Sequence, residues 1–230
     1  MEGLIGKKIG MTQVWDAQGR HVSVTVIEVG PCPVVQVKTP DKDGYAAAQL
    51  GFGPQQAKRL TKAQATRFEK AGVAPCRMLH EFRLDAGDTA KAGDQVTVAM
   101  FEGIQRVDVS AATKGRGFAG VVKRYLMAGG PMTHGGHSKR RIGGIGARDL
   151  PGWVEKGKRM PGHMGNVSRT ARNLAVVQVR KDDNLLLVQG AIPGPAGAMV
   201  VVRKALMQPK APPAPPEGKK KALKAEPKKA

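Results

Sequence analysis

Residues 113–170 read TKGRGFAGVVKRYLMAGGPMTHGGHSKRRIGGIGARDLPGWVEKGKRMPGHMGNVSRT, and this stretch decides how the whole chain is organised. It holds twelve Lys/Arg against Asp149 and Glu155 alone, with fourteen glycines and three of the five histidines. It therefore supplies +10 of the chain's net +20. Sequence so rich in glycine and so poor in aromatics buries too little apolar surface to offset the entropy of ordering its backbone. Such a segment takes its order from a partner, and its charge makes that partner a polyanion.

Strand-like sequence lies on both sides of this stretch. VSVTVIEV (22–29) and PVVQVKT (33–39) alternate apolar and polar residues around Gly30–Pro31, which predicts two adjoining strands. YAAAQLGF (45–52) follows the turn-like run from Pro40 to Gly44. TKAQATRFEKAG (61–72) has a Thr cap, good helix formers and a closing Gly72, which predicts a short helix. MLHEFRL (78–84), QVTVAM (95–100) and RVDVSA (106–111) are further short strand candidates. Beyond the basic stretch, LAVVQVRK (174–181), NLLLVQG (184–190) and AMVVVRKA (198–205) return to strand patterning.

Many short strands with glycine turns and one modest helix predict a mainly β fold with minor α, a small antiparallel barrel. The pairing of the strands is not fixed by sequence alone. Residues 1–112 and 171–207 are expected to form one globular domain, with 113–170 a long basic, glycine-rich loop extending from it. Residues 208–230, with six prolines and seven lysines, have a disordered composition and form a tail.

The charge follows the same division. Residues 1–112 carry fourteen basic and twelve acidic residues, and 171–207 carry five and two, the balance of an ordinary globular domain. A pI near 10.4 with clustered charge is the footprint of a nucleic-acid binder, with an anionic membrane as the competitor. The longest apolar runs, LLLV (185–188) and AMVVV (198–202), fall far short of the roughly 18 residues a span needs. Glycine also interrupts any basic amphipathic helix. The opening MEGLIGKKIGMTQVW lacks an apolar signal core and reads as mature sequence. Cys32 and Cys76 have no paired metal spacing and fit buried thiols in a reducing compartment.

Several motifs carry alternative chemistries. Gly115-Arg-Gly-Phe-Ala-Gly120 matches GxGxxG, but a dinucleotide site needs a buried parallel strand before it and an acid about 20 residues on. The next acid is Asp149, and no strand-helix alternation surrounds the motif. Its glycines instead let backbone amides approach phosphates, with Lys114, Arg116, Lys123 and Arg124 supplying charge. His134 and His137, with His163 distant, lack the cysteines or carboxylates of a metal site and suit phosphate or base contact. Lys139, Arg140 and Arg141 between glycine pairs suit phosphate contact. Trp153, after Pro151–Gly152, has no local core to enter, so it stacks on a base or plugs a cleft in a partner. Trp15, near strand patterning, is expected in the core. No nucleophile-base-acid grouping or carboxylate pair supports catalysis, and no cofactor, metal or small-molecule substrate is expected. A dinucleotide-dependent enzyme and a DNA-packing protein are the competing readings.

Seven segments together carry a resemblance. They are GLIGKKIGMTQVW (3–15), GPCPVVQVKTPDKDGY (30–45), QLGF (49–52), VDVSAATKGRGFAGVVKR (107–124), AGGPMTHGGH (128–137), PGWVEKGKRMPGHMGN (151–166) and NLLLVQGAIPGPAG (184–197). In this order they resemble the family of the third universal protein of the large ribosomal subunit, in its bacterial form. The central run TKGRGFAGVVKR is the most specific. The resemblance implies a six-stranded, translation-protein-like barrel on the outer face of the subunit. From it a loop would run inward through ribosomal RNA toward the peptidyl-transferase centre. On that reading Lys114, Arg116, Lys123, Arg124, Lys139, Arg140, Arg141, Arg148, Lys156, Lys158 and Arg159 lie along an RNA-lined path. The loop tip falls at Gly146, Ala147, Arg148, Asp149, Leu150 and Trp153. The implied partners are the 3′ region of the large-subunit RNA, bound early in assembly, and neighbouring ribosomal proteins. The implied location is the cytoplasmic ribosome. Two positions depart from the family pattern: Asp149 stands where many members carry a glutamine that can be methylated, and Ile142–Gly143 where Pro-Gly is common.

Overall fold

The computed structural model describes residues 1–15, 19–85 and 88–208. Its strands are β1 (Gly3–Trp15), β2 (His21–Val29), β3 (Cys32–Lys38), β4 (Ala47–Pro54), β5 (Cys76–Arg83), β6 (Gln95–Val96), β7 (Arg106–Ala112), β8 (Phe118–Ala119), β9 (Gly162–His163), β10 (Ser168–Arg180), β11 (Leu185–Gln189) and β12 (Met199–Lys204). The helices α1 (Pro40–Asp43), α2 (Lys62–Ala71) and α3 (Val121–Tyr125) are short. Six strands close a barrel in the order β1-β12-β7-β10-β11-β2, and every pair is antiparallel. The predicted six-stranded antiparallel barrel is therefore present.

A second sheet, β5-β4-β3-β6, packs beside the barrel. One apolar cluster runs through both: Leu4, Ile27, Val107, Leu186 and Val202 inside the barrel join Val34, Leu50 and Phe82 of the second sheet. Each such side chain removed from water contributes roughly 1.5–3 kcal/mol. The β7 pattern shows the cause, since Val107, Val109 and Ala111 are buried while Asp108 and Ser110 between them are not. On the outer face of the second sheet, Glu81 accepts from Lys38 Nζ at 2.8 Å (Oε1) and 3.0 Å (Oε2), and from the Tyr45 hydroxyl at 2.8 Å.

The α2 prediction holds in detail. The Thr61 Oγ1 accepts from the Gln64 N–H, and Gly72 ends the helix with φ +64°. Both cysteines are free and buried; the Cys32 thiol donates to the Ile5 carbonyl, and burial pushes its pKa up to about 12.

Other expectations need correcting. Trp15 is 70% exposed, not in the core, because the β1–β2 hairpin runs past the layers that cover the barrel. It packs on the His21 ring opposite, with centroids 3.7 Å apart. Of the strand expected at 95–100, only Gln95–Val96 pairs; Val98–Phe101 is a 3₁₀ turn that aims Val98 and Phe101, three positions apart, into the core. The turn at Pro40–Gly44 is a single helical turn. The expected tail lies outside the described residues beyond Gln208, whose side chain pairs with the backbone N–H and carbonyl of Arg106 at 3.1 and 2.7 Å.

Candidate nucleic-acid interface

The basic excursion leaves the barrel at the end of β7 and returns at the start of β10, which are already paired (Ala112 with Ser168). The two limbs stay together beyond the barrel. The Thr113 N–H donates to Val167 O at 2.9 Å, Arg116 N–H to Met164 O at 2.8 Å, and Met164 N–H to Gly117 O at 2.9 Å. β8 then pairs with β9, Phe118 opposite His163. Buried Ala119 and Val121 give this stem a small apolar foothold. Arg124 closes its far end by donating from Nη1 to Met160 O at 2.7 Å, and the guanidinium groups of Arg124 and Arg159 lie 5.0 and 5.8 Å from the Tyr125 ring centre. The GxGxxG run thus sits between antiparallel strands, without the parallel strand that a dinucleotide site requires.

The limbs cross where only glycine fits. Gly165 has φ +76°, and a Cβ there would overlap the Lys114 carbonyl. Gly194, at φ +92°, lies against the Ala112 carbonyl, which a Cβ would meet at 2.9 Å. These two contacts shape a cleft of about 680 Å³ at the root of the arm. It gathers Lys114, Arg116, Arg124 and His163 from the sequence-derived set, and adds Lys8 and Arg169, which sequence reasoning passed over. Lys8 is 8% exposed, and its Nζ donates to the carbonyls of Ile192 and Gly194 at 3.0 Å each. Burial lowers its pKa, and the charge of Lys114 lowers it further.

Beyond the stem the remaining predicted residues separate. The Gly130 N–H is shared between Ser138 O and Lys139 O at 3.2 Å, so 130–139 doubles back on itself. This local turn holds His134, with φ +53°, and His137, with Lys139, Arg140 and Arg141 exposed just past it. The tip residues Gly146, Ala147, Arg148, Asp149, Leu150 and Trp153 are all exposed, Leu150 at 85% and Trp153 at 67%. Arg148 and Asp149 approach to 3.9 Å with both side chains in solvent. Lys123, Lys156 and Lys158 are exposed as well. Among the described residues Arg148 is the arm's one cation in an ion pair, so the rest of its charge is uncompensated. The three arm histidines are exposed; no group of three His, Cys, Asp or Glu that could hold a metal occurs among the described residues. No helix there is long and apolar enough to cross a membrane.

Comparison with known proteins gives this geometry a context. The family profile "Ribosomal protein L3" matches residues 83–185, a span containing the whole arm. A large ribosomal subunit protein uL3 from Brachyspira hyodysenteriae is 48% identical over 206 residues, 90% of this chain and 95% of the relative. The proteins of the same name from Acidothermus cellulolyticus and Deinococcus radiodurans are 51% and 49% identical, over 89% of this chain and 93% and 95% of theirs. With a six-stranded barrel, a basic stemmed arm and relatives aligned over nearly their full length, the chain belongs to the ribosomal protein L3 family.

Proposed function

We propose that this chain is a non-enzymatic, structural protein of the large ribosomal subunit that binds ribosomal RNA through its arm. The observation that carries the reading is the arm's uncompensated charge, held clear of the barrel on a hydrogen-bonded stem. Residues 1–112 and 171–207 serve as the anchoring domain, and 113–170 as the RNA-threading element. Lys139, Arg140, Arg141, Lys156, Lys158 and Arg159 neutralise phosphates along its length, and His134, His137 and Trp153 offer rings to unstacked bases. The tip at 146–153 reaches toward the peptidyl-transferase centre, and binding to the 3′ region of the RNA helps to nucleate assembly in the cytoplasm. Exposure of every tip side chain supports this reading, since the chain itself gives those side chains nothing to pack on.

If the arm makes ~6–10 phosphate contacts, affinity for large-subunit RNA falls about 10³- to 10⁵-fold between roughly 50 and 200 mM salt. Replacing Lys139, Arg140 and Arg141 with alanine lowers that slope and slows subunit assembly. A flat salt response, or assembly at the normal rate with the triple variant, overturns the assignment.

A further inference from the structure

We propose that the cleft at the root of the arm is a built phosphate site, which seats one backbone phosphate of the RNA against the barrel wall. The proposal rests on the RNA-binding reading above, but it concerns the root of the arm and the buried Lys8 rather than the cations beyond the stem. Lys8, Lys114, Arg116 and Arg169 converge there from β1, the outgoing limb of the stem and β10, and no Asp or Glu lines the cleft. The smaller cleft beside the second sheet is a useful contrast, because there Arg83 and Arg203 share the lining with Glu2 and Glu81. Cationic side chains that converge without an acid repel one another, and a bound anion removes that repulsion.

Lys8 makes the site built rather than merely basic. Its ammonium has three N–H donors, and the carbonyls of Ile192 and Gly194 fix its position using two of them. A buried charge held by neutral carbonyls alone lacks a counter-ion, and a phosphate oxygen supplies one. The walls are equally fixed, because Gly165 and Gly194 hold the two limbs and the barrel in backbone contact. The cleft therefore exists before RNA arrives, whereas the tip must be ordered by it. Preorganisation lowers the cost of binding at the root.

The test uses the full chain, with inorganic phosphate titrated at constant ionic strength and backbone amide shifts as readout. Saturable shifts confined to Thr113, Lys114, Gly165 and Gly194 are expected. Lys8→Gln keeps amide donors for the two carbonyls but removes the charge, and weakens binding at least about tenfold. If that variant unfolds, Lys114→Gln with Arg169→Gln, both exposed, carries the same expectation. Lys58→Gln/Arg59→Gln, exposed on the globular domain away from the cleft, leaves phosphate affinity unchanged, and a short RNA duplex displaces the phosphate. Shifts that do not saturate, shifts spread along the arm, or equal weakening by the Lys58/Arg59 variant overturn the site. Saturation by phosphate that RNA fails to displace marks a free-anion site and overturns the RNA assignment. Large-subunit RNA binding with an unchanged salt slope in the Lys8 and Lys114/Arg169 variants sinks this proposal while sparing the general one. Phosphate saturation with no RNA binding at all sinks the general reading instead.

Discussion

Arg124 and Met160 stand 36 positions apart, and the Arg124 Nη1 donates to the Met160 carbonyl at 2.7 Å. This bond clamps the outgoing limb to the returning one where the stem gives way to the exposed arm. One of the five N–H donors of this guanidinium is thereby used within the protein, and the side chain also lines the cleft at the root of the arm. Arg124→Ala leaves that carbonyl without its donor. A charged hydrogen bond of this kind contributes on the order of 1.5–3 kcal/mol, nearer the low end when part-exposed. Hydrogen exchange of the Arg116 and Met164 amides is expected to quicken by about tenfold or more, while barrel amides such as Val109 keep their protection. Unchanged exchange at Arg116 and Met164 would show that the clamp is incidental.

Gly165 offers a sharper test of the stem. Gly165→Ala forces a methyl group onto the Lys114 carbonyl at a positive φ that alanine rarely adopts. The cost is roughly 1–3 kcal/mol or a parting of the limbs. Urea denaturation of the barrel should shift little if the limbs part, and proteolysis within 113–125 should then become fast. A variant as stable and as protease-resistant as the parent contradicts the close crossing.

Acid should weaken the fold in two separable stages. Burial holds the His80 imidazole below its ordinary value of 6.5, and the charge of Arg203 adds to the effect. Its Nδ1 is buried without a hydrogen-bond partner. A group with a depressed folded pKa binds its proton more readily when unfolded. Its contribution is therefore complete above 6.5 and fades as pH drops through the folded value. Glu81 behaves likewise lower down: its hydrogen bond from Lys38, then that from Tyr45, holds its carboxyl below 4.5, and that contribution fades below 4.5. Denaturation midpoints measured against pH should lose the upper stage in His80→Leu and the lower stage in Glu81→Gln. A single stage common to both variants would contradict the assignment.

Much of the barrel was legible because most of its strands are covered on one face, and β2 and β7 announce this by alternation. β1 was not recognised as a strand. Its first four residues are buried on both faces, so Leu4 and Ile5 stand side by side, and Lys8 falls where the pattern expects nothing charged. The interface divides in the same way. The exposed cations of the arm were visible as composition. The stem was not, because it is made by backbone amides of residues some fifty positions apart, such as Thr113 with Val167. Arg169 enters the cleft through the pairing of β10 with β7, and Lys8 through its bonds to the Ile192 and Gly194 carbonyls. Trp15 was misread because strand patterning alone does not show how far a hairpin extends past its covering layer.

The pairing of β1 with β12, Gly3 opposite Arg203 through Lys7 opposite Met199, also sets a timetable. Ribosomes make chains from the N-terminus, so the seam cannot be sewn until the final barrel strand has left the exit tunnel. Residues 113–170 leave the tunnel ahead of β12 (Met199–Lys204), so the arm is exposed before the barrel has its closing strand. For this molecule, late closure makes prompt capture by its own RNA a safeguard against straying onto another.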